Sequence, residues 1–124
     1  VLVSIIANFK HLNPAYSENI ELIYWGAKDC PPFKAWEKAH KSDVKSELSR
    51  EGGSYIEVMK TSLKDKFSFC HAGKSKIAMN IIIAKPPSFV PHYTYTKDGE
   101  RLFDISGTNS WKSQHARIMD SLLK

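Results

Sequence analysis

Apolar residues recur along the chain in blocks whose period changes, and each change marks an element. Leu2, Ile5, Ile6, Phe9 and Leu12 stand at helical spacing, which predicts an N-terminal helix. That helix is expected to stop before Asn13-Pro14, because a residue preceding proline avoids the α region. The next block, NIELIYWGA (Asn19 to Ala27), is short, mostly apolar and rich in β-formers, the pattern of a strand covered on both faces. Helical spacing returns with Phe33, Trp36, His40, Val44 and Leu48, while Lys34, Lys38, Lys41 and Lys45 form another face that reads as solvated. Ser42-Asp43 is placed to cap a new turn and predicts a break in this helix, which Gly52-Gly53 ends.

SYIEVMKTSL (Ser54 to Leu63) reads as a second strand, and a strand–helix–strand series of this length implies a parallel pair with a right-handed crossover. SKIAMNIIIAK (Ser75 to Lys85) fits a helix or a strand by pattern. HYTYT and ERLFDIS alternate around Asp98-Gly99 and form a hairpin. After Gly107 a helix runs to about Leu123, with Asn109 or Ser110 as its expected cap and Trp111, Ile118, Leu122 and Leu123 on its core face.

A chain of 124 residues is the length of one domain, taken as 1–124. No run approaches the ~20 apolar residues of a membrane-spanning helix, so membrane insertion is not expected. The net charge of +5 comes mainly from lysine, without an Arg-rich or aromatic-interleaved patch, so the basic balance reads as solvated surface and not as a nucleic-acid interface. Two cysteines do not make a disulfide framework; they allow one Cys30–Cys70 bridge or two free thiols. The cysteines and histidines show no metal-ligand spacing, and neither a metal nor another cofactor is expected. No Ser/His/Asp order and no paired-carboxylate motif stands out.

The position of Cys30 changes this picture. It follows the first strand and precedes Pro31-Pro32, residues suited to the first turn of a helix. A helix N-terminus favours thiolate over thiol, whereas the adjacent Asp29 opposes it; the sulfur is expected to be partly exposed. The alternative is a buried, inert cysteine. Cys70, next to His71 in a link carrying Lys64, Lys66, Lys74 and Lys76, reads first as a small buried residue and second as a possible resolving thiol, with no bridge to Cys30 expected.

The order of elements resembles the thioredoxin fold, and short motifs carry the resemblance. IYWGAKDCPPFK is similar to the strand-to-helix segment with Cys-x-Pro-Cys-Lys, Trp25, Cys30, Pro32 and Lys34 falling on its places with one extra residue before the cysteine. EVMK is similar to the next strand, and FVPHYTYTKDGERL to the cis-proline segment and hairpin. The resemblance implies an α/β fold with a central mixed sheet of about four strands flanked by helices, here with an extra N-terminal helix. It also implies that Cys30 is the nucleophile, Lys60 its cation and Pro91 the cis-proline, with Trp25, Asp29, Pro31, Pro32, Phe33 and Val90 bordering a substrate groove.

Three residues depart from the pattern. Phe33 replaces the second, resolving cysteine. Asp29 replaces the tryptophan before the nucleophile, and Ile23 stands about where the family carries a buried proton-moving acid. Ordinary dithiol reduction is therefore excluded, because the mixed disulfide lacks its internal resolver. A peroxiredoxin-type cysteine needs a threonine where Ala27 stands, and a monothiol glutaredoxin needs Gly-Phe-Ser where Pro31-Pro32-Phe33 stand. The expected function is monothiol exchange with protein or small-molecule thiols and disulfides. The alternative is a redox-inactive module that keeps the groove to hold a partner polypeptide. The start at Val1 and the missing dithiol tilt the expected location towards an exported, periplasmic one in a bacterium.

Overall fold

The computed structural model describes residues 19–124, so the helix expected over Leu2 to Leu12 lies outside the described residues. Strand β1 (Ile20–Ala27) leads to α1 (Pro31–Trp36), a π-helical turn (Glu37–Lys41) and α2 (Ser42–Arg50). Then come β2 (Ser54–Lys60), α3 (Phe69–Ala72), α4 (Lys76–Ala84), the hairpin strands β3 (His92–Lys97) and β4 (Glu100–Ser106), and α5 (Thr108–Leu123). The sheet order is β2-β1-β3-β4. β1 runs parallel to β2 and antiparallel to β3, and β3 is antiparallel to β4. The result is a four-stranded mixed sheet with helices on both faces.

The central position of β1 explains the apolar run from Leu22 to Ala27, since both of its faces are covered. Leu22 and Tyr24 point into a core shared with Trp36 of α1, Leu48 of α2 and Trp111 and Leu122 of α5. Ile23 and Trp25 point into a second core with Val58, Ala72 of α3 and Ala78, Ile81 and Ile82 of α4. The alternation of side chains along one strand thus feeds two separate clusters.

The structure differs from the sequence expectation at three joints and decides a fourth that the pattern left open. Ser42-Asp43 does not break the helix. Trp36, Lys41 and Ser42 all keep helical backbone angles, and the irregularity is a widened turn that brings His40 to 5.1 Å from the Trp111 ring. β2 stops at Lys60, three residues short of Leu63. Residues 76–84 are helical, started by Ser75, whose hydroxyl accepts the Ala78 N–H at 3.0 Å. α5 follows Gly107 at φ 92° and has no side-chain cap, so neither Asn109 nor Ser110 plays that part. The hairpin turn holds Asp98 at φ 53° and Gly99 at φ 83°, the left-handed pair that a two-residue turn of matching twist requires.

Candidate functional site

Cys30 is the residue that caps α1, with extended backbone angles (φ −95°, ψ 111°) just beyond the carboxyl end of β1. Its N–H donates to the Ala27 carbonyl at 3.0 Å, which fixes the turn from strand to helix. Val90 packs against the same cluster, and the Val90–Pro91 peptide next to it is cis. The sulfur is not partly exposed as expected: Cys30 is 3% exposed, in one cluster with Tyr24 and Phe33. The reason lies in Phe33, whose large ring is 7% exposed and sits 5.2 Å from the Tyr24 ring, filling the core where a smaller residue would leave space.

The groups that ordinarily stabilise a thiolate at such a place are engaged elsewhere. Pro31 and Pro32, both exposed, contribute no N–H to the first turn. The next two amides, of Phe33 and Lys34, donate to the Cys30 carbonyl at 3.1 and 3.4 Å. Lys60 is buried, and its ammonium donates to the carbonyls of Leu63 (3.2 Å) and Asp65 (2.7 Å) and lies 5.0 Å above the Phe67 ring. No hydrogen bond joins it to Cys30 among the described residues. Asp29 accepts the Leu63 N–H at 2.9 Å and the Ser62 hydroxyl at 3.3 Å, so its carboxylate ties the turn before α1 to the loop after β2.

Trp25 does not border an open groove. It is fully buried in the second core, donates its indole N–H to the Thr94 hydroxyl at 3.0 Å and meets Phe67 edge-on. Tyr24, not Ile23, is the β1 residue on the Cys30 side of the sheet. Its hydroxyl is buried without a hydrogen-bond partner. The Tyr93 ring stands edge-on at 5.0 Å, and the Tyr93 hydroxyl comes near the Tyr24 hydroxyl without the geometry of a hydrogen bond. Burial pushes ionisation of Tyr24 far up, and Tyr93, a charge on Cys30 and Glu57 add to the shift. Burial likewise pushes the Tyr93 phenol up to about 12, against opposing hydroxyl contacts with Thr108 and Tyr24, and a charge on Cys30 raises it further. Both phenols belong to the cluster that holds Cys30. Sequence reasoning missed them, because the run Leu22 to Ala27, without a polar residue, does not say which face the following cysteine takes.

Cys70 is on α3, on the opposite face of the sheet, and is exposed where a buried residue was expected. A single turn of helix in a polar link offers it no core to enter. Its sulfur lies 3.0 Å from the Ser68 hydroxyl, and both cysteines are free thiols. His92 is also occupied. Its two ring nitrogens meet Ser106 and Asp104, each at 2.8 Å, and Asp104 further accepts from Thr94 and from Arg101. Burial would raise the Asp104 carboxyl, but the hydrogen bonds from His92, Arg101 and Thr94 together with the Arg101 charge hold it far below the usual carboxylate range.

These features define a protein of the thioredoxin fold with a lone cysteine at the first helix after the central strand. The chain is similar to spinach chloroplast thioredoxin f (short form), at 10% identity over 94% of this chain and 87% of that one, with a TM-score of 0.58. It is also similar to Deadhead, a germline-specific thioredoxin of Drosophila melanogaster, at 14% identity over 95% and 93% of the two chains, with a TM-score of 0.56. Thioredoxin O2 of Arabidopsis thaliana in its oxidized state matches at 17% identity over 98% and 89%, with a TM-score of 0.51. No protein-family model matches the chain, and no curated protein matches it by sequence. Among the described residues, no helix is long and apolar enough to cross a membrane, and no group of three or more His, Cys, Asp and Glu is placed to hold a metal ion.

Proposed function

We propose that this chain acts as a single-domain, monothiol member of the thioredoxin-fold proteins, exchanging thiols and disulfides with partner proteins or small thiols through Cys30. The observation that carries this reading is the placement of Cys30: at the helix start beyond the central strand, in the cluster against which Val90, the residue before Pro91, also packs. In the exchange, Cys30 gives its proton to water and the sulfur attacks one sulfur of a disulfide. The old S–S bond breaks and its electron pair leaves on the other sulfur. Phe33 cannot complete a second step, and Cys70 lies on the other face of the sheet, so the mixed disulfide persists until an external thiol attacks it. Pro31, Pro32, Val90 and Pro91 would border the incoming disulfide, while Asp29 holds the neighbouring loop.

The burial of Cys30 favours a second reading, a module that holds a polypeptide without redox chemistry. One experiment separates the two. The Cys70→Ser protein is incubated with glutathione disulfide under native conditions, and the adduct is mapped by mass spectrometry. A glutathione adduct on Cys30 in folded protein supports exchange. Protein that stays unmodified while the urea-unfolded chain is modified supports the binding module.

A further inference from the structure

A row of polar side chains crosses the β3–β4 hairpin on the face of the sheet away from Cys30. His92 stands opposite Ser106, and Thr94 opposite Asp104. Thr94 accepts from Trp25 of the second core, which fixes the face, since residues two apart along a strand point the same way. The His92 ring lies between two groups. Its Nδ1 is 2.8 Å from the Ser106 hydroxyl, and its Nε2 is 2.8 Å from the Asp104 carboxylate. Asp104 is held on both oxygens: Arg101 donates to each, at 2.8 and 2.9 Å, and Thr94 donates at 2.7 Å. Arg101 is itself anchored by donating to the Lys85 carbonyl at 3.0 Å. Against the effect of burial, these hydrogen bonds and the Arg101 charge keep the carboxyl ionised. An ionised carboxylate only accepts, so in the neutral imidazole the hydrogen sits on Nε2. The lone pair of Nδ1 is thereby left facing the Ser106 hydroxyl, which donates to it. The ring is only 8% exposed, whereas Ser106 is open to solvent. An accessible hydroxyl, a base at hydrogen-bond distance and a carboxylate that sets the tautomer of the base are the parts of an activated oxygen nucleophile.

We propose that Ser106 is a nucleophile towards small activated esters, with His92 as its general base. This activity goes beyond exchange at Cys30 and does not depend on it. Ser106 Oγ attacks the ester carbonyl carbon while its proton passes to His92 Nδ1. The Oγ–C bond forms, the bond from carbon to the leaving oxygen breaks, and that oxygen takes the proton from His92. Water then attacks the seryl ester by the same proton route, which releases the carboxylic acid and restores the Ser106 hydroxyl. Nothing is oxidised or reduced. Past Ser106 the chain enters α5, a helix of 16 residues without a side-chain cap, so helical amides that lack an intrahelical acceptor begin within two residues of the nucleophile. The open setting of Ser106, on the edge strand β4, suits a small acyl group with a good leaving group.

The test incubates the full chain with a small alkyl fluorophosphonate and maps the adduct by mass spectrometry. An activated serine oxygen bonds the phosphorus of this probe as fluoride leaves, and the serine proton goes to the base. Label is expected on Ser106 of the folded protein and not of the urea-unfolded chain. Ser113 is the internal control: it is also exposed, but its hydroxyl donates to the Ser110 carbonyl at 3.0 Å, and it should stay unlabelled. His92→Gln removes the base and should slow labelling about a hundredfold. Ser106→Ala, an exposed change that leaves His92 and Asp104 in place, should lower hydrolysis of p-nitrophenyl acetate. Nitrogen NMR of the unsubstituted protein, with the ring neutral, should show the His92 hydrogen on Nε2. Folded protein without label on Ser106, or with Ser113 labelled as fast, overturns the nucleophile. A His92 hydrogen on Nδ1, or labelling unchanged in His92→Gln, overturns the base, and the NMR result decides this even where His92→Gln does not fold. Exchange at Cys30 is read separately, with glutathione disulfide, and none of these outcomes bears on it.

Discussion

At the scale of single residues, Phe33 decides most. Its ring stands where a second thiol would be and is part of the core, so chemistry and packing are coupled at one position. Phe33→Cys should restore a dithiol pair and raise reduction of insulin by dithiothreitol above the wild-type rate. The same substitution removes a buried ring beside Tyr24, and urea denaturation should show a loss of about 2–4 kcal/mol. A variant as stable as wild type would show that the ring is not packed as described. Asp104 gives a second test at this scale. Its carboxyl is held low in the folded protein, so it contributes stability above the unfolded aspartate range, and that contribution is lost as pH falls through and below about 4. Asp104→Asn should therefore be less stable than wild type at pH 7, with a smaller gap at pH 3. Urea midpoints at the two pH values check this, and a gap that is independent of pH would contradict it.

At the scale of elements, what could be read in the sequence was what local chemistry dictates. β1 announced itself by its apolar run, and the hairpin by Asp98-Gly99. The return of α1 and α2 to one buried face was visible from Phe33 to Leu48. The π-helical turn was not legible. Ser42-Asp43 looks like a cap, but packing of His40 against Trp111 keeps the helix running through it. The end of β2 was missed because nothing in Thr61-Ser62-Leu63 marks a strand end, and the chain turns there so that Lys60 and Asp29 can bind the loop. The sides of β1 were equally hidden. Ile23, Tyr24 and Trp25 are all apolar or aromatic, so only the tertiary structure shows that Tyr24 lies on the Cys30 side of the sheet and Trp25 meets Phe67 on the other. The junction of α2 and β2 carries a sharper prediction. A Cβ on Gly53 would stand 2.4 Å from the Ile20 carbonyl oxygen, a backbone atom that cannot swing aside. Gly53→Ala should then cost about 2 kcal/mol or more, measured by urea denaturation. A neutral Gly53→Ala would show that the chain entering β2 does not pass Ile20 of β1 this closely.

At the scale of the whole molecule, the sheet separates the two thiols. Cys30 is buried at the carboxyl end of the central strand, and Cys70 is exposed on the opposite face. The chain thus has the thioredoxin fold with one thiol at the start of α1 and the other across the sheet, which predicts little insulin reduction by the wild-type protein. The proposed activity is a single exchange at Cys30, in the folded state. The direct measurement is the rate at which a disulfide dye modifies Cys30 in the Cys70→Ser protein, compared with the global unfolding rate under the same conditions. The account predicts modification much faster than unfolding, with first-order dependence on dye. Modification that saturates at the unfolding rate would show Cys30 to be an inert core residue and would contradict the account.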